Sequence, residues 1–190
     1  MKDQKTILFF DCETTGFGSS ARLVQLAWII QDLEGKELKS ENYIIKPDGF
    51  DIPLETTEIH GISTEHALDV GEDLQEVLWK FMDGIANCNL LVGHNVTFDV
   101  RMVGYELMRM AIYDNLDQIE KLCTMHKSTS YCAIYTSKKG TFKKPKLQEL
   151  HQKLFMEKFE DAHNAMADVQ ATVRCYWELK NRGVINPIIV

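Results

Sequence analysis

A mixed α/β domain is the architecture this sequence predicts: a mixed β-sheet, its first three strands antiparallel and its later strands parallel, flanked by α-helices. Three observations point to it. Three strand-like runs follow one another across residues 6–46 with short turns between them. Beyond them, segments with apolar residues at helical spacing alternate with short apolar runs. Finally, a chain of 190 residues, 45% of them hydrophobic, can bury a full core. No internal repeat, low-complexity tract or linker interrupts it, so one domain over residues 1–190 is expected.

Thr6 to Phe10 is the β-branched and aromatic kind of run that forms a buried central strand, and it ends in Asp11-Cys12-Glu13. Leu23 to Asp32 reads as a second strand, Glu34-Gly35 as a turn, and Glu37 to Lys46 as a third strand. Pro47 to Pro53 closes this meander as a loop. His60-Gly61-Ile62 is then placed between structured elements, and Ser63 or Thr64 caps a short helix. Asp73 to Ala86 carries Leu74, Val77, Leu78, Phe81, Met82 and Ile85 at the spacing of an amphipathic helix, which Asn87 to Asn89 breaks. Leu90 to Gly93 is a short buried strand, and Thr97 to Met110 a helix. Lys121 to Met125 is expected as a fifth strand and His126 to Tyr135 as a short helix. Pro145 suits the first position of a helix running through Phe155. The last helix is placed at Ala165 to Asn181, with Gly183 as its C-terminal cap.

Composition narrows the class. No apolar run approaches the roughly 18 residues that span a membrane. MKDQKT leads directly into a strand, without the cleavage pattern of a signal peptide. Five scattered cysteines form no C-x-x-C pair, which disfavours zinc ribbons and a disulfide framework and fits a reducing cytoplasm. A net charge of −7 argues against an indiscriminate nucleic-acid binder but not against an enzyme that acts on nucleic acid. The run KKGTFKKPK holds Lys138, Lys139, Lys143, Lys144 and Lys146 without an acid, and reads as a solvated loop or as a guide for a nucleic-acid strand.

Three clusters carry chemistry. In a strand, Asp11 and Glu13 project together while Cys12 turns to the core, so two carboxylates sit side by side at a strand end. Such a pair repels itself and is costly to desolvate, and a shared hard divalent ion relieves both problems. In GHNVTFD, Asn95 or Thr97 can cap the following helix, which puts Asp99 in its first turn. If the strands before Asp11 and Asp99 are neighbours, the two acids converge. In AHNAMADVQAT, His163 and Asp168 are five residues apart, about 140° around a continuous helix, too far to share a site. Asn164 resolves this as the helix cap, with His163 in the preceding loop. Taken singly, each cluster has a plain alternative as a solvated strand end, a dipole-favoured helix acid or a surface histidine.

Together, DCETTG, GHNVTFD and HNAMAD resemble the three motifs of the DEDD exonucleases. The spacing of His163 and Asp168 resembles the histidine subclass, which includes the proofreading epsilon subunit of bacterial DNA polymerase III, ribonuclease T and the oligoribonucleases. The resemblance covers about Ile7 to Leu179 and implies a ribonuclease-H-like fold. It also implies that Asp11, Glu13, Asp99 and Asp168 hold two Mg²⁺ or Mn²⁺ ions, with His163 as general base. Thr14 and Thr15 match the segment lining the terminal nucleotide, where backbone N–H groups are available to its sugar. Asn95 and Phe98 match positions beside the substrate, and His60 lies in IHGI, which resembles another segment near it. DCETTG is closer to epsilon-like members than to oligoribonucleases, which typically carry Met at the position of Thr14. The chain ends at Val190 without a stretch resembling the epsilon subunit's polymerase-binding extension, so stable DNA polymerase association is not implied.

The implied activity is metal-dependent removal of nucleoside 5′-monophosphates from the 3′ end of DNA, preferably single-stranded. Trimming of RNA 3′ ends by an enzyme of the same family is the alternative, and a catalytically silent nucleic-acid-binding module is a third. A metal-independent two-carboxylate hydrolase such as a glycosidase would leave Asp99, His163 and Asp168 without a role.

Overall fold

The protein is described here from a computed structural model, in which residues 5–86, 88–137 and 140–186 are described. Asn87, expected to help break a helix, and Lys138 and Lys139 of the lysine run lie outside the described residues.

The sheet is built as the alternation of apolar residues dictates. Strands β1 (Thr6–Thr14), β2 (Leu23–Asp32) and β3 (Glu37–Ile44) form an antiparallel meander. Strands β4 (Cys88–Gly93) and β5 (Glu120–Cys123) then run parallel to β1, giving the order β3-β2-β1-β4-β5. The sheet is thus mixed, antiparallel then parallel, flanked by helices, in agreement with the sequence reading.

Because β1 is central, both of its faces are covered, and side chains alternate between two cores. Leu8, Phe10 and Cys12 face one core with Trp28 and Phe81. Helices α3 (Leu74–Ile85) and α4 (Val96–Arg109) close that side. Ile7 and Phe9 face the other core, closed by α5 (Thr124–Cys132), α6 (Leu147–Phe155) and α7 (Ala165–Asn181). Phe9 meets Tyr176 of α7 edge-on at 5.1 Å between ring centroids. Each fully buried side chain of this size contributes about 1.5–3 kcal/mol from water exclusion, so the two cores rather than helix propensity hold α4 and α7 to the sheet. Helix α7 stops in a Schellman turn: Gly183, at φ 68°, donates its N–H to Lys180 O and Val184 donates to Leu179 O. None of the described helices is long and apolar enough to cross a membrane.

The local departures have physical causes. Leu54–His60 is a helix, α1, so His60, expected between structured elements, is instead its last residue. Its Leu54 and Ile59 are 69% and 55% exposed, so no inward apolar stripe announced it. Ser63 does cap the short helix α2 (Thr64–Val70), accepting from His66 N. Helix α6 begins at Leu147 rather than Pro145, because Lys146 N donates to the Glu149 carboxylate at 2.8 Å and closes the first turn there. Pro145 instead offers its carbonyl to His94 Nε2 at 2.9 Å. β5 is shorter than expected and α5 starts directly at Thr124.

Candidate active site

Four carboxylates meet where β1 ends. Asp11 and Glu13 lie on the face of β1 that looks toward α7, while Cys12 is packed in the opposite core. Asp99 comes from the first turn of α4, on that opposite side, and is 2% exposed. Its Oδ1 accepts from Cys12 N at 3.1 Å and from Cys12 Sγ at 3.3 Å, which binds the helix to the strand. The parallel pairing of β1 with β4, the strand leading into α4, is what makes this encounter possible. Asp168 lies in the first turn of α7, whose cap is Asn164, accepting from Met166 N at 3.1 Å and Ala167 N at 3.4 Å. His163 therefore stands outside the helix, at φ 71°, with its backbone N–H donated to Asp168 Oδ2 at 3.1 Å. One ligand atom each from Glu13, His163 and Asp168 lie within 4.8 Å of one another.

The electrostatics record the crowding. Burial, then the charges of Asp99, Asp168 and Glu13, hold the Asp11 carboxyl well above the usual carboxylate range. Burial, with Asp168 and Asp99, pushes Glu13 up to about 8. Burial pushes Asp99 up to about 7 and Asp168 up to about 6, against hydrogen bonds from Cys12 and His163 respectively. Four desolvated, mutually repelling oxygen ligands are a donor set that suits hard divalent cations such as Mg²⁺ or Mn²⁺.

Beside the acids lies a cavity of about 260 Å³, lined in part by Glu13, Thr14, Phe17, His60, Phe98 and His163. His60, 8% exposed, accepts from Ile62 N at Nδ1 (3.1 Å), so a neutral ring carries its proton on Nε2. That buried Nε2 has no partner among the described residues. Burial and the nearby His163 lower its pKa, which keeps the ring neutral.

Of the expected site residues, Asp11, Glu13, Asp99, Asp168 and His163 are brought together, and Thr14, His60 and Phe98 line the adjoining cavity. Thr15 differs from expectation: its N–H is taken by Arg22 O at 3.0 Å and its Oγ1 accepts from Arg22 N, so its amide is not free for a sugar. Asn95 occupies the cap position of α4 but at φ 81°, with no side-chain capping bond; it is exposed and not among the cavity-lining residues. Two contributors had no sequence signal. Phe17 follows the motif in a glycine-flanked loop, and buried Gln25 on β2 accepts from Ala165 N at 3.0 Å, fixing the start of α7. Ile59, in the IHGI segment expected near the substrate, lines the cavity from α1.

Fold and carboxylate cluster together define a ribonuclease-H-like domain with an acidic cleft at the end of its central strand. The sequence model of an exonuclease family, the RNase T type, matches residues 8–176. The chain belongs to that family, the DEDD 3′→5′ exonucleases. Among its relatives is an uncharacterized exonuclease of Escherichia phage 186, 29% identical over 180 residues, covering 87% of this chain and 84% of the phage protein. The PolC-type DNA polymerase III of Lacticaseibacillus paracasei is 30% identical over 170 residues, covering 86% of this chain. That of Clostridium perfringens is 34% identical over 101 residues, covering 53% of it. The matches amount to only 10% and 7% of those two polymerases. The same fold is found in E. coli exonuclease I bound to a dA16 oligonucleotide, with a TM-score of 0.77 and 22% identity. A zinc-bound form with single-stranded DNA has a TM-score of 0.79 and 23% identity. Each match covers 94% of this chain and 41% of exonuclease I.

Proposed function

We propose that this protein is a metal-dependent 3′→5′ exonuclease of the histidine subclass that removes nucleoside 5′-monophosphates from single-stranded DNA. The convergence of Asp11, Glu13, Asp99 and Asp168, each pushed toward its protonated form by burial and the first three also by neighbouring carboxylates, carries the reading. These four would hold two Mg²⁺ or Mn²⁺ ions, whose chemistry is to activate water and stabilise the leaving oxygen of a phosphodiester.

The chain's own groups do the rest. His163, exposed at the rim of the cavity and beside Glu13 and Asp168, takes the proton of the attacking water as a neutral imidazole. Its left-handed backbone and its bond to Asp168 point it away from helix α7 toward the acids. Phe98 and Phe17 give the cavity aromatic faces for a base, and Nε2–H of His60 supplies a donor for a substrate oxygen. Thr14 contributes wall rather than donor, since its hydroxyl is turned to Gly16 O at 2.7 Å. E. coli exonuclease I, of the same fold, is bound to a dA16 oligonucleotide in one structure and to single-stranded DNA in another, and this supports DNA over RNA as substrate.

Digestion of end-labelled DNA and RNA oligonucleotides with and without Mg²⁺ tests the reading. Mononucleotides should be released from the 3′ end of DNA, only with metal. Asp11→Asn should remove nearly all cleavage while the fold persists. Ordinary activity in excess EDTA, or in the Asn variant, overturns the proposal; faster digestion of RNA moves it to an RNA-trimming enzyme.

A further inference from the structure

Phe17 stands over the cavity with 88% of its surface exposed, its ring edge-on to Phe98 at 5.8 Å. So exposed a side chain is placed by its backbone rather than by packing. That backbone is Gly16-Phe17-Gly18-Ser19-Ser20, in which Gly16 and Gly18 take φ of 145° and 86° and have open space around them. Glycines of this kind leave a loop free to adopt many shapes.

The loop is nevertheless tied down from beneath. Thr15 and Arg22 close its base through Thr15 N to Arg22 O at 3.0 Å and Arg22 N to Thr15 Oγ1 at 2.9 Å. Under it, on α4, Glu106 is 1% exposed. Its Oε1 accepts from Arg22 Nε at 2.8 Å and from Leu23 N at 3.1 Å, and its Oε2 pairs with Arg109 Nη1 at 3.0 Å. Arg109 then reaches forward with Nη2 to the carbonyls of Ser19 and, at 3.1 Å, Ala21. The Arg22 guanidinium also lies 4.5 Å over the Phe50 ring. A carboxylate this deep is costly unless its oxygens are paired. Here the pairing groups are the two arginines and the amide that hold the loop.

We propose that Glu106, Arg22 and Arg109 form a latch that fixes the Thr15–Arg22 loop, and so sets Phe17 in place over the terminal nucleotide. Glu106 and Arg109 are then positioning residues for substrate binding, acting through Phe17. The inference rests on the cavity being the nucleotide site, as proposed above.

A double-mutant cycle tests it, with KM and kcat measured for mononucleotide release from a single-stranded oligothymidylate, and the thermal midpoint followed in parallel. Phe17→Ala and Arg109→Ala should each raise KM by roughly fivefold or more, the effect of losing one base–aromatic stack, with kcat little changed. In the Phe17→Ala background, Arg109→Ala should add nothing to KM, although its thermal destabilisation should be the same in both backgrounds. Arg109→Lys keeps the charge beside Glu106 but not the planar fork that spans three oxygens. It should raise KM like the alanine variant with a smaller loss of stability, which covers the case in which Arg109→Ala does not fold. An equal KM penalty from Arg109→Ala with and without Phe17, or an unchanged KM in Arg109→Lys, overturns the latch. A wild-type protein that releases no mononucleotide overturns the exonuclease reading and the latch with it, whereas hydrolysis without coupling overturns the latch alone.

Discussion

Two histidines face the same cavity, and their surroundings separate the roles proposed for them. His163 is exposed, sits in a left-handed conformation and is held through its backbone by Asp168. His60 is buried, with Nδ1 engaged and Nε2–H unpartnered. His163→Ala should therefore lower kcat by about 10²- to 10⁴-fold, the usual contribution of a general base, while KM stays close to its original value. His60→Ala should act mainly on KM, by roughly 10- to 100-fold, because a bond to a charged oxygen is worth about 1.5–3 kcal/mol. Steady-state kinetics on one oligonucleotide read both, and a reversal of the two patterns would exchange the assigned roles. The acids and His163 were legible in the sequence because each has a local signature: a strand end, a first helical turn, a residue before a cap. Gln25 and Glu106 were not. Gln25 acts on Ala165, 140 positions away, and Glu106 on Leu23, 83 positions away, and no periodicity records such distances.

At the level of elements, the strands and long helices were readable because their apolar residues face one or two cores at a fixed period. Helix α1 was not, since its apolar side chains face solvent and the cavity instead of a core. The lysine stretch takes on a location that its composition lacked. His94, just past the end of β4, holds Pro145 O, and burial lowers the His94 pKa to about 4, so this tether stays neutral at ordinary pH. Residues 143–146 are thereby anchored near the end of the sheet where the carboxylates gather. Lys143 is already paired with Glu149 at 2.5 Å, which leaves Lys144 the better placed to meet a strand. Replacing Lys144 with Ala should weaken oligonucleotide binding and reduce its salt slope by about 0.7, the value for one phosphate contact on a single strand. Lys143→Ala should change the slope less. Binding titrations across a range of salt concentrations decide it, and an unchanged slope in both variants returns the loop to plain solvation.

For the molecule as a whole, the carboxylate cluster is a source of instability that depends on pH. Acids whose folded pKa is raised bind more protons in the folded than in the unfolded state between the two values, so stability falls as pH rises through that window. For Glu13 the window runs from 4.5 to about 8, and for Asp168 from 3.8 to about 6. Metal-free protein should thus melt at progressively lower temperature from about pH 4 to pH 8. Added Mg²⁺ should raise the midpoint more at pH 8 than at pH 5, because the ligands must be deprotonated to bind. Thermal melts at several pH values with EDTA or Mg²⁺ check this, and a midpoint that climbs from pH 5 to pH 8 in EDTA would refute it.

The approach of Asp99 and Asp168 from opposite sides of the sheet has a consequence for the order in which the chain is made. Neither helical layer alone holds the full set of acids. During synthesis Asp11, Glu13 and Asp99 emerge early, whereas His163 and Asp168 arrive with α7, the last helix described, over Ala165–Asn181. Until that helix docks against Phe9 and Gln25, the nascent chain has a partial acidic pocket without His163 and Asp168. On the proposed reading, the exonuclease site is therefore completed only when α7 docks on the sheet, and a chain released before residue 163 should show no cleavage.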